Sequence, residues 1–131
     1  MRYRVPHEPI DFDIPDDWWD LAGASGFVFS QTAFVASSNS EWPTTLVRIT
    51  DVEAPRRDAG VLGLRKDRTV SILRAFFEGV ELPPLEVYEP PEPRRFRFRV
   101  RDGFHRYYVS IAAGFSMLPV SIRPYFDFNA L

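Results

Sequence analysis

An α+β fold is predicted, a single compact domain with a small mixed sheet and helices preceded by an N-terminal extension. Three observations predict it. Short β-branched and aromatic runs alternate with segments of helical period, the unbroken alternation from Arg95 to Arg101 has the period of a half-buried strand, and 131 residues suit one core. The apolar fraction of 45% supports such a core, and the lack of cysteine excludes disulfide frameworks, cysteine-ligated metals and cysteine nucleophiles. No apolar run reaches the length of a membrane span and residues 1–20 hold no leader-type apolar stretch, so a cytoplasmic protein without a membrane partner is expected.

The net charge of −2 conceals an asymmetry: residues 1–45 carry two basic against seven acidic side chains, and residues 46–131 carry 14 against 11. The chain is therefore divided into an acidic extension, 1–45, and a main domain, 46–131. Within the extension, Pro15 to Ala22 reads as a short helix. Pro15 suits the first turn, Asp16 and Asp17 suit the positive end of the helix dipole, and Gly23 stops it. Trp18, Leu21 and Ala22 then share a face that must pack on the rest of the chain, and Trp18 and Trp19 are candidate contacts for a protein partner. His7, near the terminus, is expected in solvent.

In the main domain Leu46, Val47 and Ile49 form a strand, and Pro55-Arg56-Arg57 with Gly60 and Gly63 forms a loop. A helix follows, capped by Asp67 or Thr69, with Val70, Leu73, Phe76 and Phe77 toward the core and Gly79 as its left-handed stop. Leu85-Glu86-Val87-Tyr88 is a short strand. After the Pro90 to Pro93 connection comes the alternating strand, with Phe96, Phe98 and Val100 on the buried side and Arg95, Arg97, Arg99 and Arg101 on the other. Four aligned guanidiniums are possible nucleic-acid contacts, although the five aspartates of the extension offer an internal counter-charge, so DNA is the weaker expectation. Phe104 to Ala113 is a helix closed by Gly114, and Leu118 to Ile122 is a last strand that, by its Pro119, starts there or lies at an edge. The aromatic end, Tyr125-Phe126-Asp127-Phe128, is a second candidate for contact with a protein.

Chemistry concentrates at the corner Asp102-Gly103-Phe104-His105-Arg106. A strand entering a helix through Gly leaves the first-turn N–H groups open to an anion, with Asp102 as a possible cap and His105 and Arg106 as added donors. No spacing of His, Asp and Glu suggests a metal site.

Residues 46–122 resemble the ParB/sulfiredoxin-like superfamily: a strand ending in Pro55-Arg56, a helix closed by Gly79, Pro84-Leu85-Glu86-Val87, the Asp102-Gly103-x-His105-Arg106 box, and Leu118-Pro119-Val120. That superfamily includes chromosome-partition CTPases, sulfiredoxins and a free-serine kinase. The resemblance implies that Gly103, Phe104, His105 and Arg106 line a nucleotide phosphate site, approached by Arg56, Lys66 and Arg68. It also implies a nucleoside triphosphate (CTP or ATP) with Mg as the cofactor, Asp102 as the one candidate base, and NTP hydrolysis or phosphotransfer as the reaction. Phe104 stands where sulfiredoxins have cysteine and partition proteins glutamate, so sulfiredoxin chemistry is excluded. Two other functions compete, a non-catalytic interaction or regulatory (antitoxin-like) module and a small DNA-binding or nuclease-like protein.

Overall fold

The computed structural model describes residues 1–56 and 63–125. Arg57 and Gly60 of the expected loop, and Phe126 to Phe128 of the aromatic end, lie outside them. The fold is α+β. In chain order the elements are β1 (Arg2–Arg4), β2 (Asp11–Asp13), α1 (Asp16–Leu21), β3 (Thr45–Arg48), a 3-10 turn (Ile49–Asp51), β4 (Val52–Glu53), α2 (Lys66–Glu78), β5 (Leu85–Tyr88), β6 (Phe98–Asp102), α3 (Phe104–Ala112) and β7 (Met117–Ile122).

Strands β1 and β2 form an antiparallel hairpin, and the other five form one mixed sheet in the order β3-β7-β5-β6-β4. The outer strands of a flat five-stranded sheet stand about 19 Å apart, four steps of about 4.8 Å. Here the two outer strands, β3 and β4, are joined by three residues, Ile49–Asp51, in a 3-10 turn. Such a turn rises only about 2 Å per residue, so the sheet has to curl until its edges approach.

Inside the curl lie Leu85, Val87, Phe98, Leu118 and Val120, packed against Leu73 and Phe76 of α2 and Tyr107 and Tyr108 of α3. The extension supplies Val5, Phe12, Ile14, Ala22, Ala24 and Phe34 to this same core, with the Phe12 ring edge-on to Tyr108 at 5.1 Å. Trp18 and Trp19 are partly buried against it.

Several expectations change. Leu21 is 51% exposed rather than in the core face of α1. On α2 the buried stripe is Thr69, Ile72, Leu73 and Phe76, so Leu73 and Phe76 face the core as expected while Phe77 points outward; the helix begins at Lys66 without a side-chain cap from Asp67 or Thr69. Gly79 does end it, at φ +70°. Strand β6 starts at Phe98, not Arg95. Its neighbours start there too: β4 pairs from Val52 with Phe98, and β5 pairs up to Tyr88 with Arg99, after which Pro90 and Pro91 supply no N–H. Pro119 sits in an interior strand, opposite Leu46 of β3 and one residue before the parallel ladder to β5 begins at Val120. The missing N–H thus falls outside the β5 ladder.

Candidate functional site

Strand β6 reaches the corner through an irregularity. Val87 pairs with Val100 but Glu86 pairs with Asp102, so Arg101 is an extra residue in β6. Bulges of this kind re-aim side chains. This one sets Asp102 directly across from Glu86.

Gly103 follows at φ +127°, and a Cβ there would stand 2.6 Å from Cγ of the fully buried Leu85. The glycine is therefore required by backbone conformation and by packing on β5. The expected open approach for a ligand at its Cα is occupied by Leu85. Asp102 does not cap α3; the helix starts after Gly103, with no cap bond from a side chain at the N-cap position. The Asp102 carboxylate instead lies 3.7 Å from Nη2 of Arg106, with its side chain 70% exposed.

Arg106 is a buried charge. It is 9% exposed, its Nη2 donates to the Pro84 carbonyl at 3.4 Å, and its buried Nε has no hydrogen-bond partner among the described residues. Burial pushes the guanidinium pKa below its ordinary value, Asp102 pulls it back up, and Arg68 on the first turn of α2 lowers it again by repulsion. A desolvated cation with an incomplete set of acceptors attracts an anion.

His105 joins two helix starts. Its Nε2 accepts the Arg65 N–H at 3.0 Å, at the N-terminus of α2, which places the proton of a neutral ring on Nδ1. The N-termini of α2 and α3 are thereby held side by side, each with the positive end of a helix dipole. Phe104 packs its ring against Tyr108 at 5.1 Å. Lys66 and Arg68 are exposed on the start of α2. Arg56 turns elsewhere: its Nη2 lies 3.4 Å from Glu8 Oε1.

That carboxylate belongs to a buried cluster which the sequence did not disclose. Glu8, 5% exposed, accepts the Ala54 N–H at 2.7 Å. His7 is half-buried, not in solvent, because Nε2 meets the Val52 carbonyl at 2.8 Å and the ring stands edge-on to Phe96. The Tyr108 hydroxyl donates to the Pro55 carbonyl at 2.7 Å and the Tyr107 hydroxyl to Val52 at 3.4 Å. The N-terminal strap thus fixes the Val52 to Arg56 segment on α3. Burial raises the pKa of both phenols, with the Glu8 charge adding to it.

On the other side of Asp102 opens a cavity of about 230 Å³ bordered by Ser38, Asn39, Trp42, Pro84, Glu86 and Arg123, among others. Turn chemistry shapes its rim: Asn39 Oδ1 accepts the Trp42 N–H at 2.7 Å and Ser38 Oγ the Thr44 N–H at 3.0 Å. Arg123 lies over the Trp42 ring at 4.6 Å and bonds Glu86 at 2.9 Å. The polar run Ser37-Ser38-Asn39 was the one available signal for this loop.

Two arginines of the ladder are paired with carboxylates close by. Arg99 pairs with Glu53 at 3.0 Å and Arg97 with Glu89 at 3.5 Å, not with the aspartates of the extension. Hydrogen bonding to Glu53 raises the Arg99 pKa. Arg101 donates to the Pro124 carbonyl, and Arg95 lies over the Phe96 ring. Among the described residues no group of three or more His, Asp or Glu side chains gathers to hold a metal, and no helix is long and apolar enough to cross a membrane. No protein-family model matches the chain, and no curated protein matches it.

Proposed function

We propose that the protein binds the phosphate group of a nucleotide or another phosphorylated small molecule where the N-termini of α2 and α3 meet. The observation that carries this reading is Arg106: buried, its Nε without an acceptor among the described residues, and set beside Arg68 where the starts of α2 and α3 meet. Helix N–H groups and guanidinium forks are complementary to phosphate oxygens. The resemblance to the ParB/sulfiredoxin-like superfamily points the same way, and a cytoplasmic location belongs to the same reading.

If the ligand turns over, phosphoryl transfer or nucleotide hydrolysis is the reaction class, with Asp102 as the base. Its exposed carboxylate is able to accept a proton from a molecule beside the corner. A magnesium ion arriving with a triphosphate keeps mostly phosphate and water oxygens, and Asp102 is the carboxylate available to it at the corner.

The test is thermal unfolding of wild type and Arg106→Met against CTP, ATP, GTP, ADP and inorganic phosphate, with and without Mg²⁺. A ligand at 100 times its Kd stabilises by about 2.7 kcal/mol. A shift in wild type that disappears in the variant is the expected result, and no shift with any of the five overturns the proposal. A second reading, a protein-interaction module, draws on the exposed Leu21, Phe27, Val28 and Phe77, of which Phe27 and Phe77 stand edge to face at 4.9 Å. A DNA-binding role draws less support, since Arg97 and Arg99 already have carboxylate partners.

A further inference from the structure

The cavity beside Asp102 has a chemistry of its own. Its charges face opposite ones: Glu86 pairs with Arg123 at 2.9 Å, and Asp102 lies 3.7 Å from Arg106, whose Nε still lacks an acceptor among the described residues. A second full charge entering it would have to break one of these pairs. What remains is a wall that both donates and accepts, with carboxylate oxygens, a guanidinium, Ser38 and Ser121 hydroxyls and the Asn39 amide around it. A hydroxyl answers such a lining at every point, because it is donor and acceptor in one group. Planar carboxylate, amide and guanidinium groups also contact two neighbouring hydroxyls at once.

Size narrows the body further. At about 230 Å³ the cavity is smaller than the roughly 300–1,000 Å³ that drug-sized ligands occupy, so it suits a pentose-sized body and not a nucleoside. Its rim is held in place without a ligand by the Asn39 and Ser38 turn bonds and by Arg123 against Trp42. The cavity is also contiguous with the phosphate corner. Asp102 and Pro84 border it, and the same two residues contact the Arg106 guanidinium.

We infer that the ligand is a free sugar or polyol phosphate, its hydroxylated body in this cavity and its phosphate at the Arg106 corner; the inference rests on the phosphate reading above. The phosphate supplies the anion that Arg106 and Arg68 attract, and the neutral body meets the paired charges without disturbing them.

Calorimetric titration with ribose 5-phosphate, ribose, inorganic phosphate and CMP tests it, together with the Trp42 indole N–H signal in ¹⁵N-labelled protein. Ribose 5-phosphate is expected to bind at least tenfold tighter than inorganic phosphate and to move the Trp42 signal, which inorganic phosphate leaves in place. Glu86→Gln and Arg123→Met should remove that tenfold advantage while inorganic phosphate still binds, and Arg106→Met should weaken both ligands. Equal affinity for ribose 5-phosphate and phosphate overturns the cavity assignment and leaves the phosphate corner standing. Binding of neither overturns both. CMP binding more than tenfold tighter than ribose 5-phosphate shows a nucleoside body and overturns the assignment to a free sugar phosphate.

Discussion

Replacing Gly103 by alanine puts two separable strains at the β6–α3 corner. At φ +127° an L side chain is in a region it rarely adopts, a conformational cost of about 1–3 kcal/mol. The new Cβ also meets Leu85 Cγ at 2.6 Å, with Cδ2 at 3.1 Å and Cβ at 3.2 Å. Leu85 is fully buried on a central strand and has nowhere to move, so overpacking adds about 1–3 kcal/mol. Together Gly103→Ala should cost about 2–6 kcal/mol, a large share of the 5–15 kcal/mol typical of a domain. Urea unfolding followed by tryptophan fluorescence reads this as a lower midpoint at unchanged slope. A cycle with Leu85→Ala separates the two parts. Leu85→Ala alone costs about 2–5 kcal/mol, but it also removes the clash, so the double variant should be more stable than the summed losses by about 1–3 kcal/mol. Strict additivity, or a Gly103→Ala loss under about 1 kcal/mol, would show that the corner relaxes freely and would refute the packing account.

Glu8→Ala leaves the Ala54 N–H without its acceptor and should cost about 1–3 kcal/mol in the same urea assay, whereas Glu8→Gln, which keeps an acceptor oxygen, should cost less than half as much. Tyr107 and Tyr108 have folded pKa values raised above the unfolded value of 10.0. Their contribution is therefore complete below pH 10 and is lost as the pH rises beyond it, where only the unfolded chain releases the protons. The two together give a fall of up to about 2.7 kcal/mol per pH unit, and Tyr107→Phe should remove half of that slope in alkaline unfolding.

The elements that the sequence discloses are those whose signals are local. Gly79 and Gly114 mark helix ends through their own positive φ, and α3 follows Gly103 as expected. On α2 Leu73 and Phe76 face the core as expected, with Thr69 and Ile72 beside them in place of Val70 and Phe77, and the helix start is tied by the Arg65 N–H to His105, 40 residues away, which no local signal marks. The bulge at Arg101 leaves no mark in a perfectly alternating run; only the partner strand β5 shows that one residue is extra. Glu8 and His7 were illegible for the same reason. Their acceptors and donors, Val52 and Ala54, lie about 45 residues downstream, and no local pattern reports a contact at that separation.

The charge asymmetry shows what a sequence count is able to do and where it fails. Counting found two blocks of opposite sign and paired them with each other, which is the simplest neutralisation of a string. A sheet offers a nearer one. Residues on adjacent strands stand about 4.8 Å apart, so Glu53 on β4 reaches Arg99 without help from the extension. The aspartates of the extension find partners equally close at hand, Asp11 with Arg2 and Arg4 across the hairpin and Asp16 with the N-terminal ammonium. Exposed pairs of this kind contribute only about 0–1 kcal/mol each, so they do not decide where the extension sits. Its position is set by Val5, Phe12, Ile14 and Phe34 in the core. Once surface charge is satisfied this locally, the charge that stands out is the one that is buried and not satisfied, and Arg106 directs attention to the corner more strongly than any run of exposed arginines.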